Sequence, residues 1–124
     1  PAARAWSAYE EACSRLVPRP SLGPGVGPDN LAMARLEAHY MMHGGFLDEA
    51  QLLARIDRVR GLPCTIVQGR YDIVCPPESA YALHQAWPGS ILHIVPDAGH
   101  SALEPGTRTA LLAAMRKALA THGK

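Results

Sequence analysis

The feature that most constrains this fold is a pair of short, almost continuously apolar segments, each followed by a helical pattern. Residues 64–68 and 91–95 are rich in β-branched side chains and are predicted to be strands. Helices are predicted at residues 76–87, where prolines open the first turn, and at residues 106–121, whose inner face is expected to carry Leu111, Leu112, Met115 and Leu119. Strands of this kind are typical of parallel sheets buried on both faces. The sequence therefore predicts an α/β fold.

The first half of the chain has a different pattern and is predicted to be entirely helical. Apolar residues recur with helical spacing in residues 5–17, 29–43 and 48–59. The glycine pair Gly44-Gly45 is expected to end the second helix, since glycine takes the left-handed conformation without steric cost. Residues 21–28 are rich in proline and glycine and are predicted to be a linker.

These two patterns define the predicted organisation of the chain. Two parallel strands make a poor free-standing sheet, because they expose an edge and much apolar surface. We therefore expect residues 61–124 to be the C-terminal β-α-β-α part of a larger α/β sheet, and residues 1–60 to be part of a helical cap. The chain begins at Pro1 without an initiator methionine, which fits the expectation that it is part of something longer.

Composition excludes several classes of protein. A formal net charge of +1 gives no dominant attraction to nucleic acid or to an anionic membrane. No run approaches the roughly 20 apolar residues of a membrane span. The three cysteines lack C-x-x-C spacing, which argues against a zinc ribbon or a thioredoxin motif. With no signal peptide, a reducing, cytoplasmic location is expected.

Two ionisable residues follow the two predicted strands. Asp72 lies just past the first strand and His100 just past the second. Parallel neighbouring strands bring such loops to one edge of a sheet, where an aspartate can orient a histidine for proton transfer. The order Asp then His also matches the last two members of a Ser…Asp…His triad. The alternative is that both are polar loop residues that cap turns.

The sequence contains no recognisable nucleophile for such a triad. A G-x-S-x-G elbow is absent, as is an H-G-G-x-G oxyanion loop. The segment that starts at Gly99 comes nearest to the elbow, but Leu103 stands where the second glycine belongs. None of the serines of the chain lies in that pattern; they are Ser7, Ser14, Ser21, Ser79, Ser90 and Ser101.

Two glutamates have unusual positions on the predicted helices. Glu37 falls inside an apolar arc formed by Met33, Leu36, Tyr40 and Met41. A carboxylate there is costly unless it meets a cation or hydrogen-bond donors. It either lines a wet crevice or pairs with an arginine, or it is offered to a cationic group of a substrate. Glu10 borders the apolar stripe of its helix, whereas Glu11 points away, and for Glu10 the pattern favours a solvated position.

Other candidates are weaker. His39 and His43 have the i, i+4 spacing of a zinc-binding helix, but Tyr40 stands where H-E-x-x-H has its glutamate. Surface histidines are the simpler interpretation, and no metal site is expected. Cys75 is near Asp72 in sequence and is a conceivable nucleophile without an elbow, but a small buried filler is the simpler role.

Three segments closely resemble proline iminopeptidases, which are α/β-hydrolase serine peptidases that release N-terminal proline from peptides. The resemblance runs from about Ala5 to the C-terminus. It is carried by Glu37-Ala38-His39-Tyr40 with Gly44-Gly45-Phe46, by Val67-Gln68-Gly69-Arg70-Tyr71-Asp72-Ile73-Val74-Cys75-Pro76, and by Val95-Pro96-Asp97-Ala98-Gly99-His100-Ser101.

The resemblance implies a role for each candidate residue. Asp72 and His100 would be the acid and the base of the triad, while Glu10 and Glu37 would bind the free amino group of a peptide with an N-terminal proline. No metal or organic cofactor is implied. The family's nucleophile serine and oxyanion glycines have no counterpart in this sequence, so the chain is expected to be a C-terminal fragment that is inactive alone.

Two alternatives remain open at this point. Another α/β hydrolase, of the esterase, epoxide hydrolase or dehalogenase type, would share Asp72 and His100 but would not need Glu10 and Glu37. A non-catalytic α/β binding module would use Asp72 and His100 only as turn residues.

Overall fold

The computed structural model describes residues 1–17, 28–48 and 50–122. In this part of the chain, helices precede a small sheet and then alternate with its strands. The helices are α1 (Ala2–Cys13), α2 (Pro28–Met42), α3 (Gln51–Ala54), α4 (Pro77–Ala86) and α5 (Pro105–His122), and the strands are β1 (Thr65–Gly69) and β2 (Ile91–Val95). Short 3-10 helices span Gly44–Phe46 and Ile56–Arg58. No helix in these ranges has both the length and the apolarity that a membrane span requires.

The sheet consists of β1 and β2, which pair in parallel with Thr65 opposite Ile91 and Gly69 opposite Val95. Helix α4 connects the two strands, and α5 follows β2 and packs against both strands. The predicted parallel β-α-β-α arrangement is thus confirmed, with α4 and α5 within about one residue of their predicted bounds. Because the strands are parallel, the loops that follow them leave the sheet at the same edge.

Among the described residues, few are buried, and most of these lie on or next to the loops that follow the strands; Ala80 and Ser90 lie elsewhere. The buried apolar residues are Ala80, Val95 and Ala98, and the buried polar residues are Asp72, Ser90, Glu104 and Thr107. Burial of polar groups costs free energy unless hydrogen bonds compensate for the lost water. The part of the molecule that is best excluded from solvent is therefore the edge of the sheet where the strands end.

Helices α1 and α2 pack against each other and form a second unit of contacts. The side chain of Asn30 donates to the Ser7 hydroxyl at 3.3 Å, and the Trp6 indole donates to Glu37. The glycine pair ends α2 as predicted, with Gly44 and Gly45 both at positive φ. The predicted linker at residues 21–28 lies outside the described residues except for Pro28, which begins α2. The division of the chain at residue 60 stays a prediction.

The first predicted helix ends earlier than its apolar spacing indicates. Helix α1 stops at Cys13, not at Val17. Two backbone groups past this point bond to the loops near β2: the Ser14 carbonyl accepts from the Ser101 N–H, and the Leu16 N–H donates to Glu104. These long-range bonds compete with the bonds that would continue the helix, and they end it.

The prediction of one helix over residues 48–59 is wrong. The structure breaks this stretch into α3 and the 3-10 turn Ile56–Arg58, and Ala50 adopts a left-handed conformation before α3. Leu52 is 67% exposed, so its apolar side chain has little surface to pack against among the described residues. Short helices in water depend on such packing for their stability.

The predicted inner face of α5 is also wrong in part. Leu111 is half-buried, but Leu112, Met115 and Leu119 are exposed. An 18-residue helix is about 27 Å long, whereas a five-residue strand is about 17 Å long. The difference in length leaves the C-terminal part of α5, with Leu119, without a strand to pack on. Leu112 lies in the first half of the helix, and it is exposed because the described residues form a sheet of only two strands, which covers little of α5.

Candidate active site

The loops that follow β1 and β2 are joined to each other by backbone hydrogen bonds. The Arg70 N–H donates to the Val95 carbonyl at 2.9 Å, and the Tyr71 N–H donates to the Ala98 carbonyl at 3.0 Å. Gly69 allows this approach, because a Cβ at that position would collide with the backbone carbonyl of Gly99. The two loops thus form one rigid edge with Asp72 and His100 on it.

Asp72 and His100 are in direct contact. The distance from His100 Nδ1 to Asp72 Oδ2 is 3.1 Å, which is within the range of an N–H···O hydrogen bond. The Asp72 side chain is 6% exposed, whereas that of His100 is 39% exposed. The acid is therefore shielded, and the imidazole reaches solvent.

Three further donors hold the Asp72 carboxylate. Oδ1 accepts the backbone N–H groups of Val74, at 3.0 Å, and Cys75, at 2.8 Å. Oδ2 also accepts from the Gln68 amide at 3.2 Å. With His100 included, all of these contacts favour the ionised form of the acid.

The pKa of Asp72 reflects this balance. Burial acts to raise the pKa, but the Cys75 N–H, the His100 side chain and the Val74 N–H together hold it below its ordinary value. The carboxylate therefore stays charged at neutral pH. A depressed folded-state pKa stabilises the fold above the unfolded-state pKa, and this contribution is lost as the pH falls through the folded-state value.

The ionised acid also determines the tautomer of His100. A carboxylate only accepts hydrogen bonds, so the bond to Asp72 requires a proton on Nδ1. In the neutral imidazole, Nε2 then carries the free lone pair, and no described residue hydrogen-bonds to it. This arrangement can take a proton at Nε2 while Asp72 stabilises the resulting imidazolium.

The second pair of predicted residues meets between α1 and α2. Glu10 and Glu37 are both half-buried on the facing sides of these helices. Burial raises the pKa of Glu10, and the negative charge of Glu37 and a hydrogen bond with its carboxyl raise it further. The Trp6 indole Nε1 donates to Glu37 Oε2 at 2.7 Å. The two carboxyls thus lie against each other, with one of them oriented by an indole.

Such an acid pair attracts a cation. Among the described residues, no arginine or lysine forms a salt bridge with Glu10 or Glu37; the only such pair joins Arg15 to the exposed Glu11. Sequence reasoning had left open an arginine partner for Glu37, and the structure shows none in the described part. A ligand with a protonated nitrogen would relieve the repulsion between the two carboxyls.

Sequence reasoning missed three residues that support these groups. Glu104 is buried and accepts backbone N–H groups from two separate segments, Trp6 orients Glu37, and Gln68 bonds to Asp72. Because Glu104 lies just before α5, its local sequence predicts an exposed residue at the start of a helix. The position of Trp6 in the helical apolar spacing of residues 5–17 indicates packing and not a hydrogen bond to a carboxylate. Nothing local marks the contacts of Glu104 with Leu16 and of Trp6 with Glu37, because these partners are distant in sequence.

The weaker candidates do not join the site. His43 bonds through Nδ1 to the His39 carbonyl and stacks on Phe46, and the described residues contain no group of three side chains that could hold a metal. Cys75 is exposed, not buried as the simpler interpretation held, and it meets Asp72 through its backbone N–H. The sequence His43-Gly44-Gly45 ends α2 and lacks the last glycine of an oxyanion loop.

Known proteins with similar sequences were found over almost the whole of this chain. The chain is 48% identical to a probable proline iminopeptidase of Leptolyngbya boryana over 99% of its own length. It is 45% identical to a proline iminopeptidase of Arabidopsis thaliana over 98% of its length, and 47% identical to one of Xylella fastidiosa over 91%. The chain is similar to the C-terminal part of the proline iminopeptidases. No family model matches it.

The matches cover nearly the whole of this chain but only part of each relative. These matches cover 40%, 33% and 37% of the relatives' own lengths. The chain thus spans well under half of each curated relative. Its parallel strands and flanking helices are consistent with the C-terminal part of an α/β hydrolase.

Proposed function

We propose that this chain supplies the acid, the base and the amine-binding group of a serine-type aminopeptidase that releases N-terminal proline from peptides. The observation that carries the proposal is the hydrogen bond between His100 Nδ1 and Asp72 Oδ2, at 3.1 Å. It leaves a basic nitrogen open at the edge of the sheet. The similarity to proline iminopeptidases supports the same reaction class.

The proposed chemistry begins with a serine hydroxyl that attacks the carbonyl carbon of the N-terminal proline. His100 Nε2 takes the hydroxyl proton and then donates it to the nitrogen of the leaving peptide, which leaves the proline bound to the serine as an ester. A water molecule then gives a proton to His100 Nε2 and attacks this ester; the serine oxygen leaves, takes the proton back from His100, and free proline is released. Asp72 keeps the imidazole in the required tautomer and stabilises its positive charge. Because no serine of the chain lies in a G-x-S-x-G sequence, the proposal requires a nucleophile from outside these 124 residues, and the chain is inactive alone.

Glu10 and Glu37 account for the choice of substrate. The nitrogen of an N-terminal proline is a secondary ammonium with two N–H donors, one for each carboxyl of the pair. Charge-assisted hydrogen bonds of this kind are stronger than neutral ones. An internal or acylated proline has no charge and no N–H, so it would leave both acids unpaired, which penalises its binding.

These steps use side chains alone, without a metal or an organic cofactor. The three cysteines are unpaired, which fits a reducing compartment, and we place the reaction in the cytoplasm.

Two other functions make different demands on the same residues. An esterase, epoxide hydrolase or dehalogenase would use Asp72 and His100 but has no use for the acid pair between α1 and α2. A binding module has no use for a histidine whose Nδ1 is bonded to a buried aspartate and whose Nε2 is open. The aminopeptidase uses all four residues.

Substrate profiling of the complete gene product that contains this chain tests the proposal. The substrates are prolyl-4-nitroanilide, N-acetylprolyl-4-nitroanilide and 4-nitrophenyl acetate. We expect hydrolysis of the prolyl amide and a loss of about 100-fold or more in kcat/KM when its nitrogen is acetylated. Equal rates for the two amides, or hydrolysis of the ester only, would favour another hydrolase. No hydrolysis of any substrate would favour a binding module.

A further inference from the structure

Glu104 is a buried carboxylate that the proposed reaction does not use. Its side chain accepts the Gly99 N–H at Oε2, at 2.6 Å, and the Leu16 N–H at Oε1, at 2.9 Å. Gly99 is the residue before His100, and Leu16 lies three residues past the end of α1, the helix that carries Glu10. One carboxylate therefore bridges the base loop and the segment that follows the amine-binding helix.

Two further contacts join the same segments. The Ser101 N–H donates to the Ser14 carbonyl at 2.7 Å. Gly99 also packs closely on the backbone of Arg15 and Leu16, so that a Cβ at Gly99 would lie 3.0 Å from the Leu16 nitrogen. The connection between the segment after α1 and the loop after β2 is thus made by backbone groups, and among the described residues Glu104 is the one side chain that bonds to both.

We infer that Glu104 is a positioning residue, which fixes the distance between the amine-binding carboxyls on α1 and α2 and the imidazole of His100. The inference rests on the proposed function and extends it. His100 is held independently by Asp72, so loss of Glu104 leaves the acid–base pair intact. What changes is the place of the bound amine relative to the base, and errors of about 1 Å in such placement cost about 100-fold in rate.

A purely structural role for Glu104 makes a different prediction. The backbone N–H of Arg108 donates to the Glu104 carbonyl, so the residue also begins α5. If Glu104 only supported this helix, its replacement would lower the amount of folded protein and reduce all activities by the same factor. A positioning role affects only substrates that bind through their amine.

The test compares Glu104→Gln with the parent sequence in the complete gene product. The matched control is Glu11→Gln, the same chemical change at an exposed position of α1. In Glu104→Gln, an amide N–H2 faces one of the two backbone donors, so one bridge is lost. We expect kcat/KM for prolyl-4-nitroanilide to fall about 10- to 100-fold, and hydrolysis of 4-nitrophenyl acetate, which has no amine, to stay near the parent value. Equal losses on both substrates would overturn the inference.

A second variant tests the same connection without changing Glu104. Gly99→Ala places a methyl group against the Arg15–Leu16 backbone, and we expect it to reproduce the selective loss on the prolyl amide. This variant decides the matter if Glu104→Gln does not fold; an equal loss on both substrates in Gly99→Ala counts against the inference in the same way.

Two readouts separate this inference from the proposed function. In a Glu10→Gln background, Glu104→Gln should not reduce the ratio of prolyl amide to ester hydrolysis further, since the anchor is already weakened. If Glu104→Gln lowered this ratio in the Glu10→Gln background by as much as it does in the parent protein, the two residues would not act through the same bound amine. If the parent protein cleaves no prolyl amide, the proposed function fails; if it does and the losses in Glu104→Gln are uniform, only the role of Glu104 fails.

Discussion

Asp72 and Glu10 are carboxylates whose surroundings move their pKa in opposite directions. Burial acts to raise both pKa values, but Asp72 receives bonds from two backbone N–H groups and His100, which reverse the effect. Glu10 faces the carboxyl of Glu37, whose negative charge raises the pKa of Glu10 further. The first acid is thus stabilised in its charged form within the chain. The second is destabilised in its charged form by its neighbour, as the proposed role in binding a cationic amine requires.

At this scale, Asp72→Asn is the most direct test of the acid–base pair. The amide cannot accept both backbone N–H groups and the His100 proton as the carboxylate does, and it offers a donor that favours the wrong tautomer. We expect kcat for prolyl-4-nitroanilide to fall by about 10⁴, as in a serine protease triad, with KM little changed. The exposed Asp57→Asn is the matched control. A loss below tenfold would mean that Asp72 does not orient the base.

Glu10→Gln tests the amine anchor. Removing one carboxylate removes a charge-assisted hydrogen bond worth about 1.5–3 kcal/mol, which corresponds to roughly a 10- to 100-fold higher KM for the prolyl amide. We expect kcat to change little and hydrolysis of 4-nitrophenyl acetate to be unaffected. Steady-state kinetics with Glu11→Gln as the control measures the difference. A fall in kcat at constant KM would contradict an anchoring role.

The sequence predicts Asp72 and His100 because a general rule places them: loops that follow parallel neighbouring strands meet at one edge. Glu37 was noticeable because a carboxylate on an apolar stripe needs an explanation. Glu104 had no such signal. Its partners, Gly99 and Leu16, offer only backbone N–H groups, which every sequence contains, so only the tertiary structure reveals that they converge on one side chain.

At the scale of elements, the sheet and the helices after each strand are predictable from local sequence, whereas the helices before the sheet depend on tertiary contacts. The strands and α4 and α5 were predictable, because their boundaries are marked by prolines and by β-branched runs. The segment at residues 48–59 has helical spacing but little surface to pack against among the described residues, so it does not form one continuous helix. Helix α1 ends early because the backbone groups of Ser14 and Leu16 form hydrogen bonds with Ser101 and Glu104, which are distant in sequence. Local periodicity describes what a segment can form, and its contacts decide what it does form.

The close approach of the two strand ends gives a prediction at this scale. An alanine at Gly69 would place its Cβ against the Gly99 carbonyl, and a backbone atom cannot rotate away. We expect Gly69→Ala to cost about 3 kcal/mol of stability and to lower the thermal unfolding midpoint of the complete gene product by several degrees.

Gly61→Ala is the control for this experiment, because a Cβ at that position meets no atom within 4 Å. Both changes add one methyl group and both remove a glycine from the unfolded chain. If the two variants unfold at the same temperature, the loops do not approach each other as closely as the structure has them.

At the scale of the whole molecule, the helical pair and the sheet are joined mainly through residues near the active site. Ser14 and Leu16 bond to Ser101 and Glu104, and these bonds lie next to His100. The few buried apolar residues, Ala80, Val95 and Ala98 among them, are small. The region that contains most of the buried residues is therefore also the region of the proposed chemistry, and the other described residues contribute little core.

This distribution predicts how the 124-residue chain behaves when it is produced by itself. Its accessible surface is 9430 Å², whereas a folded monomer of its mass exposes about 6500 Å². Exposed apolar side chains include Met115, at 61%, and Leu119, at 66%, on the outer part of α5. We expect the chain to self-associate and to bind a hydrophobic dye, as measured by light scattering and by dye fluorescence.

The double variant Met115→Glu, Leu119→Glu distinguishes self-association through the exposed apolar side chains of α5 from self-association caused by general misfolding. Glutamate favours helix about as well as methionine and leucine, so helix content by circular dichroism should stay the same while the mass and the dye signal fall. An isolated parent chain that is monomeric, binds no dye and unfolds cooperatively on heating would contradict the prediction. That result would mean that the strands and helices described here bury enough apolar surface among themselves to be stable without a partner.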